Sequence, residues 1–517
     1  MSKQYNGLSR RAITGMNSNV HPSLIGPTQC EQLINADLVQ LGRTKKRDGF
    51  AVAGNLVTVA PFTALARFNP YGGTDGMLGI EGINLRHWLG TGNWSASDDA
   101  GFTTGLYTKI LIGNDIALIL NGTENVHTVA PNWDVADLGD ANTSPPKGTV
   151  GCWLKDRWFI AEKGIVYFSD VGVQTFLRDT NYFRVSVGDN DDITNLVPFR
   201  NNELIIFKEH STWLLQMDNN STPLTQWDLK PIDTEIGCIS REAAIKVGND
   251  IFFFASDGVR SLKRNEQDKV SSIQVPLSDD IHSGYIDTIN WTYKNLIRAV
   301  SYQNRVIFSI PYDDATTCDK LLVYFLHSNP QLNGWSMWET EVGAFVGAFA
   351  KSLDGNNEKL YFAAPAYYSQ MFEMFSGDTD WGTGISYTEK GRIEDLTEEG
   401  LTGNQKYAKS FMIKGNAASE CTAILEMSID EGAFQEIAEI NMNTNAPYLP
   451  IDLTFVINDR TITLEKFSLD ELEHFYSIQY KITQAYGKSQ PLKFFERQYV
   501  LATERYEPDG GVKWQAT

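Results

Sequence analysis

Three carboxylates fall within four positions in Gly188-Asp189-Asn190-Asp191-Asp192, and oxygen-rich loops of this kind suit a hard cation such as calcium. The spacing departs from that of an EF-hand loop and lacks its closing bidentate Glu, so the segment reads first as a solvated turn. The seven histidines (21, 87, 127, 210, 282, 327 and 474) are scattered, with no pair at ligand spacing. The acidic pairs Asp279-Asp280 and Glu398-Glu399 read as surface charge. No phosphate-binding loop, dinucleotide fingerprint, nucleophile elbow or HExxH helix is present. On these grounds the sequence predicts no catalytic, cofactor-binding or metal-binding residues, and no enzyme.

Two segments, Ser97-Asp98-Asp99-Ala100-Gly101-Phe102 and Ser428-Ile429-Asp430-Glu431-Gly432-Ala433-Phe434, approach the Asp-box pattern that resembles sialidases. That box is a structural turn on a hairpin and carries no catalysis itself. A sialidase also needs three arginines converging on a substrate carboxylate. Arg157, Arg178, Arg200, Arg241, Arg260 and Arg298 are available, but a sequence does not show which converge.

The elements that position these residues announce themselves by repetition. A polar turn followed at once by an apolar run recurs at Asn114-Asp115, Asp156-Arg157, Asn202-Glu203, Asn249-Asp250, Asn304-Arg305 and Asn356-Asn357. The intervals are 42 to 55 residues, which is the length of a propeller blade. Runs such as Ile251-Phe252-Phe253-Phe254 lack alternation, as strands covered on both faces do. Six anchors predict six blades, and a seventh fits residues 51–100, where 52–62 and 79–89 read as strands. After about Tyr387 the pattern changes. A charged, glycine-containing stretch at 390–405 reads as a linker. Period-two alternation follows at 411–414, 423–429, 461–464 and 476–482, the mark of a sandwich sheet. Ser468-Leu469-Asp470-Glu471 has capping-box spacing for one short helix. The predicted class is therefore all-β. Residues 1–50 form an N-terminal arm with a short helix over 28–38, 51–385 a β-propeller, 386–507 a β-sandwich-like domain, and 508–517 an exposed tail.

Composition narrows the partners. The chain of 517 residues carries a net charge of −20, which argues against a tight grip on nucleic acid while allowing DNA to slide past an acidic wall. Five widely spaced cysteines (30, 152, 238, 318 and 421) form no CxxC pair and read as reduced core residues. No run of about 18 apolar residues occurs, so the expectation is no membrane insertion. The basic start is followed by no apolar stretch, so no secretory signal is read there.

Three stretches resemble the propeller-bearing tail nozzle, or distal tail tube, proteins of short-tailed bacteriophages. The first runs from Gly188-Asp189-Asn190-Asp191-Asp192-Ile193-Thr194 through Leu204-Ile205-Ile206-Phe207-Lys208 to Ser211-Thr212-Trp213. The second runs from Glu235-Ile236-Gly237-Cys238-Ile239-Ser240 to Asp257-Gly258-Val259. The third is the lead-in Asn35-Ala36, Gly42 and Lys46-Arg47-Asp48-Gly49-Phe50. Together they span most of 30–265. The resemblance implies a structural virion protein, assembled in the host cytoplasm and resident in the tail. It implies a hexameric homo-oligomeric ring, portal, adaptor and other tail proteins as partners, and double-stranded DNA passing through the lumen without tight binding. Its function would be genome retention and ejection. The alternative is a virion-borne propeller that binds or hydrolyses host surface carbohydrate; a cellular propeller scaffold ranks third.

Overall fold

The computed structural model describes residues 4–503 apart from 11–12, 40–42, 56–59, 104, 218–226, 264–274, 341–345, 355–356, 365–369, 396–405, 418–420, 443–454, 458–459, 469–474 and 486–491. The chain forms two compact units. The larger comprises Gly49–Tyr324 and Trp338–Gly382, and the smaller Met1–Asp48, Phe325–Met337 and Thr383–Thr517.

The larger unit is a β-propeller whose described residues form seven antiparallel blades. Blade 1 holds Phe62–Phe68, Gly76–Glu81, Asn84–Trp88 and Asp99–Ala100; blade 2 holds Lys109–Gly113, Ile116–Leu120, His127–Val129 and Val135–Asp137. Blade 3 holds Val150–Leu154, Arg157–Glu162, Ile165–Phe168 and Tyr182–Arg184; blade 4 holds Ile193–Arg200, Glu203–Lys208, Thr212–Gln216 and Asp228–Asp233. Blade 5 is Ala244–Val247, Asp250–Ala255 and Gly258–Ser261, and blade 6 contains Arg298–Tyr302, Arg305–Ile310 and Lys320–Phe325. Blade 7 is Ala348–Asp354, Asn357–Ala363 and Gln370–Met374, completed by Phe50–Asn55 from the start of the unit. The first strands of successive blades adjoin one another around a ring, and that of blade 7 returns to that of blade 1.

Five of the six repeated turns of the sequence join first and second strands in blades 2 to 6, and the sixth, at Asn356, lies outside the described residues. At Asn114-Asp115 both residues are left-handed, with φ of 47° and 60°, and Lys155-Asp156 repeats this with 51° and 57°. Positive φ at both central positions matches the turn to the strand twist, which is why short polar residues recur there. Blade 1 replaces the tight turn by a loop between Phe68 and Gly76, so its repeat carries no anchor.

Second strands are apolar on both faces because each blade is sandwiched between neighbours. Phe253 lies 4.9 Å from Phe207 of blade 4, while Phe252 and Phe254 turn to Tyr324 at 6.1 Å and Phe308 at 5.6 Å in blade 6. Period-two geometry sends alternate side chains to opposite neighbours. Where inner strands converge, space vanishes: a Cβ on Gly151 would stand 2.6 Å from Leu111 Cδ1.

The smaller unit contains two sheets. One orders Phe455–Ile457, Arg460–Ser468, Lys406–Ala417, Leu492–Thr503, Thr44–Lys46 and Ala36–Asp37, with Gln4–Arg10 also paired to Leu492–Thr503. The other contains Gln32–Ile34, Tyr387–Lys390, Ile478–Gln484, Cys421–Ile429 and Gln435–Met442. Phe411 meets Tyr480 at 5.2 Å and Tyr387 meets Phe494 at 6.0 Å between them. Among these rings lies the fully buried Glu389. Its Oε2 accepts from Tyr387 (2.7 Å), Thr44 Oγ1 (3.2 Å) and Arg497, and its Oε1 from Tyr480 (2.8 Å).

The expected arm and its helix over 28–38 are not what forms. Gln29–Cys30, Gln32–Ile34 and Ala36–Asp37 are short strands, and Cys30, Leu33, Ala36 and Leu38 are all buried. Sheet partners on Tyr387–Lys390 override a local helical spacing. The basic run is also drawn inward: Lys46 Nζ donates to Gln484 Oε1 at 2.8 Å and Arg47 Nε to Asn35 Oδ1 at 2.8 Å. The predicted helix at 468–471, the tail at 508–517 and most of the 390–405 linker lie outside the described residues. Among the described residues no helix is long and apolar enough to cross a membrane.

Candidate functional site

The first strand of each blade runs along the propeller axis, so its side chains face either a neighbouring blade or the centre. A pocket of about 510 Å³ opens there. Blade 1 contributes Ala64 and Leu65, blade 2 Lys109 and Ile110, and blade 4 the segment 195–198. Blade 5 adds Glu242 and 244–246, blade 6 Arg298, Ala299 and Val300, and blade 7 Phe349, Ala350 and Lys351.

Four cations and one carboxylate therefore line the pocket, a local surplus of positive charge in a chain of net −20. Glu242 binds two of the cations: its Oε1 lies 2.8 Å from Lys109 Nζ and its Oε2 2.8 Å from Arg298 Nη1. Arg298 Nη2 also donates to the Thr63 carbonyl at 3.1 Å. The backbone fixes this meeting, since Ala299 N donates to Glu242 O at 2.7 Å. Behind it, Tyr107 is held between two guanidinium groups, Arg241 at 5.2 Å and Arg298 at 5.1 Å from its ring centre, a desolvated cation–π arrangement.

The electrostatics follow from these neighbours. Burial alone would raise the Glu242 carboxyl, but Lys109 and Arg298 outweigh it and hold the group at about 2. Glu242 is thus ionised at every physiological pH, which removes it as a proton donor. The Tyr107 phenol is pushed up by burial and by the Glu242 charge.

Lys246 and Lys351 stand differently. Lys246 lies four positions beyond Glu242, roughly 13 Å further along an extended strand. It is exposed, donates to the Phe199 carbonyl, and is paired with no carboxylate among the described residues. Lys351 Nζ reaches Ser301 Oγ at 3.3 Å and Glu358 at 3.4 Å. The pocket thus combines apolar walls, an internally neutralised ion cluster and an unneutralised ammonium. Such a site can hold a polar ligand against an apolar wall. Glycosidic hydrolysis in its common form uses two carboxylates, and one lines this pocket.

The acidic loop at 188–192 is structural. Both oxygens of Asp189 lie 2.7 Å from Nζ of the buried Lys208, and Asp191 accepts from the backbone N–H of Glu209 (3.3 Å) and His210 (2.9 Å). The lysine ammonium occupies the place a cation would take. Among the described residues no group of three or more His, Cys, Asp or Glu could hold a metal. The two Asp-box segments are turns: Asp430 Oδ1 accepts from the backbone of Tyr476 and Ser477 at 2.7 and 2.8 Å, and Ser97 Oγ donates to the Asp99 carbonyl at 2.9 Å. Of the six arginines, Arg241 and Arg298 share Tyr107. Arg157 donates to the Ser169 carbonyl, while Arg178, Arg200 and Arg260 pair with Asp140, Glu203 and Asp257.

Sequence reasoning missed Lys109, Glu242, Lys246 and Lys351. A signal did exist. Lys109, Lys246, Arg298 and Lys351 each precede an anchor turn by three to six positions, where the inner strand must lie.

No family model and no curated protein matches the chain. Among solved structures, an extracellular domain of a putative one-component system from B. thetaiotaomicron aligns at 7% identity and a TM-score of 0.41, covering 77% of this chain, which spans 46% of that one. An exo-β-1,3-galactanase from Phanerochaete chrysosporium aligns at 10% identity, TM-score 0.27, covering 88% and 99% of the two chains. A glycoside hydrolase family 43 arabinoxylan arabinofuranohydrolase from Bacillus subtilis aligns at 8% identity, TM-score 0.22, covering 91% and 95%. The presence of glycoside hydrolases among these corrects the expectation of no enzyme. That expectation rested on missing short motifs, and a propeller gathers its central residues from strands tens of positions apart, where no short motif forms. At these scores the likeness carries no argument about which ligand or reaction belongs to this chain.

Proposed function

We propose that the propeller is a carbohydrate-binding module whose axial pocket is the binding site. The observation that carries this reading is the lining itself. Leu65, Ile110, Val300 and Phe349 offer apolar surface to the C–H face of a sugar ring, while Asn195, Lys109 and Glu242 offer donors and acceptors for hydroxyls. A volume of about 510 Å³ admits one or two sugar rings and excludes a folded partner. The test is retention of the full chain on a glycan array beside the Phe349→Ala variant, with released reducing ends measured in parallel. Retention lost in the variant supports the reading; no glycan retained by either protein, or equal retention by both, overturns it.

We also propose, from the sequence resemblance, that the chain is carried on a phage virion as a subunit of a tail-nozzle ring. What supports this is the role of the resembling residues. Asp189 and Lys208 fix blade 4, Thr194 Oγ1 donates to the Cys238 carbonyl at 2.7 Å, and Asn35 and Arg47 fix the lead-in. They are building parts, as a resemblance in architecture requires. Electron-microscope averaging of source particles labelled with a binder raised against this chain tests it. A six-fold ring of label on the tail axis is expected; label on peripheral fibres, or none on particles, overturns it.

A further inference from the structure

We propose that the ligand class of the axial pocket is an anionic saccharide, carboxylated or sulfated, whose charge is received by Lys246, with Lys351 of the same lining as a second cation; this rests on the carbohydrate-binding reading above. The two ends of the pocket differ in what their cations already do. Lys109 and Arg298 are consumed by Glu242, each at 2.8 Å, and Arg298 is further tied to Thr63. Their charges are met, and what they offer a ligand is hydrogen bonding to neutral hydroxyls.

Among the described residues Lys246 has no such partner. Its ammonium donates to a neutral carbonyl, Phe199 O, and lies 5.9 Å from the Phe199 ring centre, over which Arg200 also stands at 5.0 Å. Lys351 shares its charge with Glu358 at 3.4 Å, a longer pairing than those of Lys109 and Arg298, and also reaches Ser301. A ligand that put a carboxylate or sulfate at this end, the open rim of the pocket, would supply the missing counter-charge through a charge-assisted contact. The rest of the chain is strongly acidic, so bulk attraction does not explain anion capture; a local site must. The apolar wall and the neutralised cluster then seat the uncharged remainder of the sugar. A neutral glycan would leave the Lys246 ammonium unmatched.

The test uses the intact chain on an array of uronate, sialylated, sulfated and neutral oligosaccharides. The best acidic ligand, its neutral parent and inorganic sulfate are then titrated calorimetrically. The expected result is at least tenfold tighter binding of the acidic sugar than of its parent. Lys246→Met should weaken the acidic sugar at least tenfold more than its parent and so remove that preference, and Lys351→Met should reduce it in part. The uronate and sulfated arms show which anion the pocket prefers. Equal affinity for acidic and neutral sugars, or a preference untouched by both substitutions, overturns the inference while leaving carbohydrate binding intact. Sulfate bound as tightly as the sugar makes the pocket a simple anion site and overturns the saccharide. No retention of any glycan overturns the underlying reading together with the inference.

Discussion

Glu242, two residues before the inner strand of blade 5, and Arg298, on the inner strand of blade 6, meet at 2.8 Å in the wall of the axial pocket. The contact ties blade 5 to blade 6, and through Lys109 the same carboxylate reaches across to blade 2. One side chain thus braces three blades while shaping the pocket. Glu242→Gln keeps the shape and removes the charge, leaving two cations uncompensated. Loss of one member of a partly buried ion cluster costs about 1–3 kcal/mol, read as a shift in the denaturant midpoint at pH 7.

The same residue predicts an acid response. Its folded carboxyl is depressed to about 2, so its contribution is complete above the ordinary glutamate range near 4.3 and fades as pH falls through about 2. Wild-type stability should fall more steeply than that of Glu242→Gln between these limits, and the two proteins should run parallel from pH 5 to 8. Parallel curves throughout would contradict the assignment.

In blade 4, Lys208 is buried and held by both oxygens of Asp189 at 2.7 Å. Lys208→Met should leave Asp189 without its counter-charge and destabilise the chain by about 1–3 kcal/mol. Because the ammonium fills the loop, calcium or EDTA should not move the wild-type melting temperature. A calcium-dependent rise would show that the three aspartates bind metal after all.

Much of this architecture can be read from residue order. Asn114-Asp115 and Lys155-Asp156 mark real hairpins because the left-handed backbone there favours a few polar residues. Blade 1 has a longer loop in that place and escapes the pattern. The first fifty residues mislead for another reason: Leu33, Ile34 and Leu38 fit a helical stripe, yet the strand that holds Leu33 and Ile34 is specified by partners more than 350 positions away at Thr388 and Glu389. The axial site is hidden by the same distance, since Lys109, Glu242 and Arg298 become neighbours only when the ring closes.

In the smaller unit, Glu389 is satisfied by Arg497, Tyr387, Tyr480 and Thr44. Burial alone would lower the Arg497 guanidinium, but Glu389 more than restores it and the net shift is upward. Arg497→Met should strand a buried carboxylate and cost about 3–5 kcal/mol, detected as early unfolding of this unit in hydrogen exchange. Tyr480→Phe removes one donor and should cost about 1.5–3 kcal/mol.

Cys152, Cys238 and Cys318 are buried thiols pushed upward by burial, Cys238 and Cys318 to about 12. The thiolate is the reactive form. These three should therefore resist a disulfide-exchange reagent at pH 8 in the native protein and react fully in denaturant. Rapid native labelling of any of them would contradict their placement.

The most direct measurement is a crystal structure of the full chain with the glycan it retains best. A sugar ring against Phe349, with polar atoms within hydrogen-bond distance of Asn195 and Lys246, is the predicted result. The same glycan seated on the outer strands of the blades or on the smaller unit, with the axial pocket free of it, would contradict the assignment.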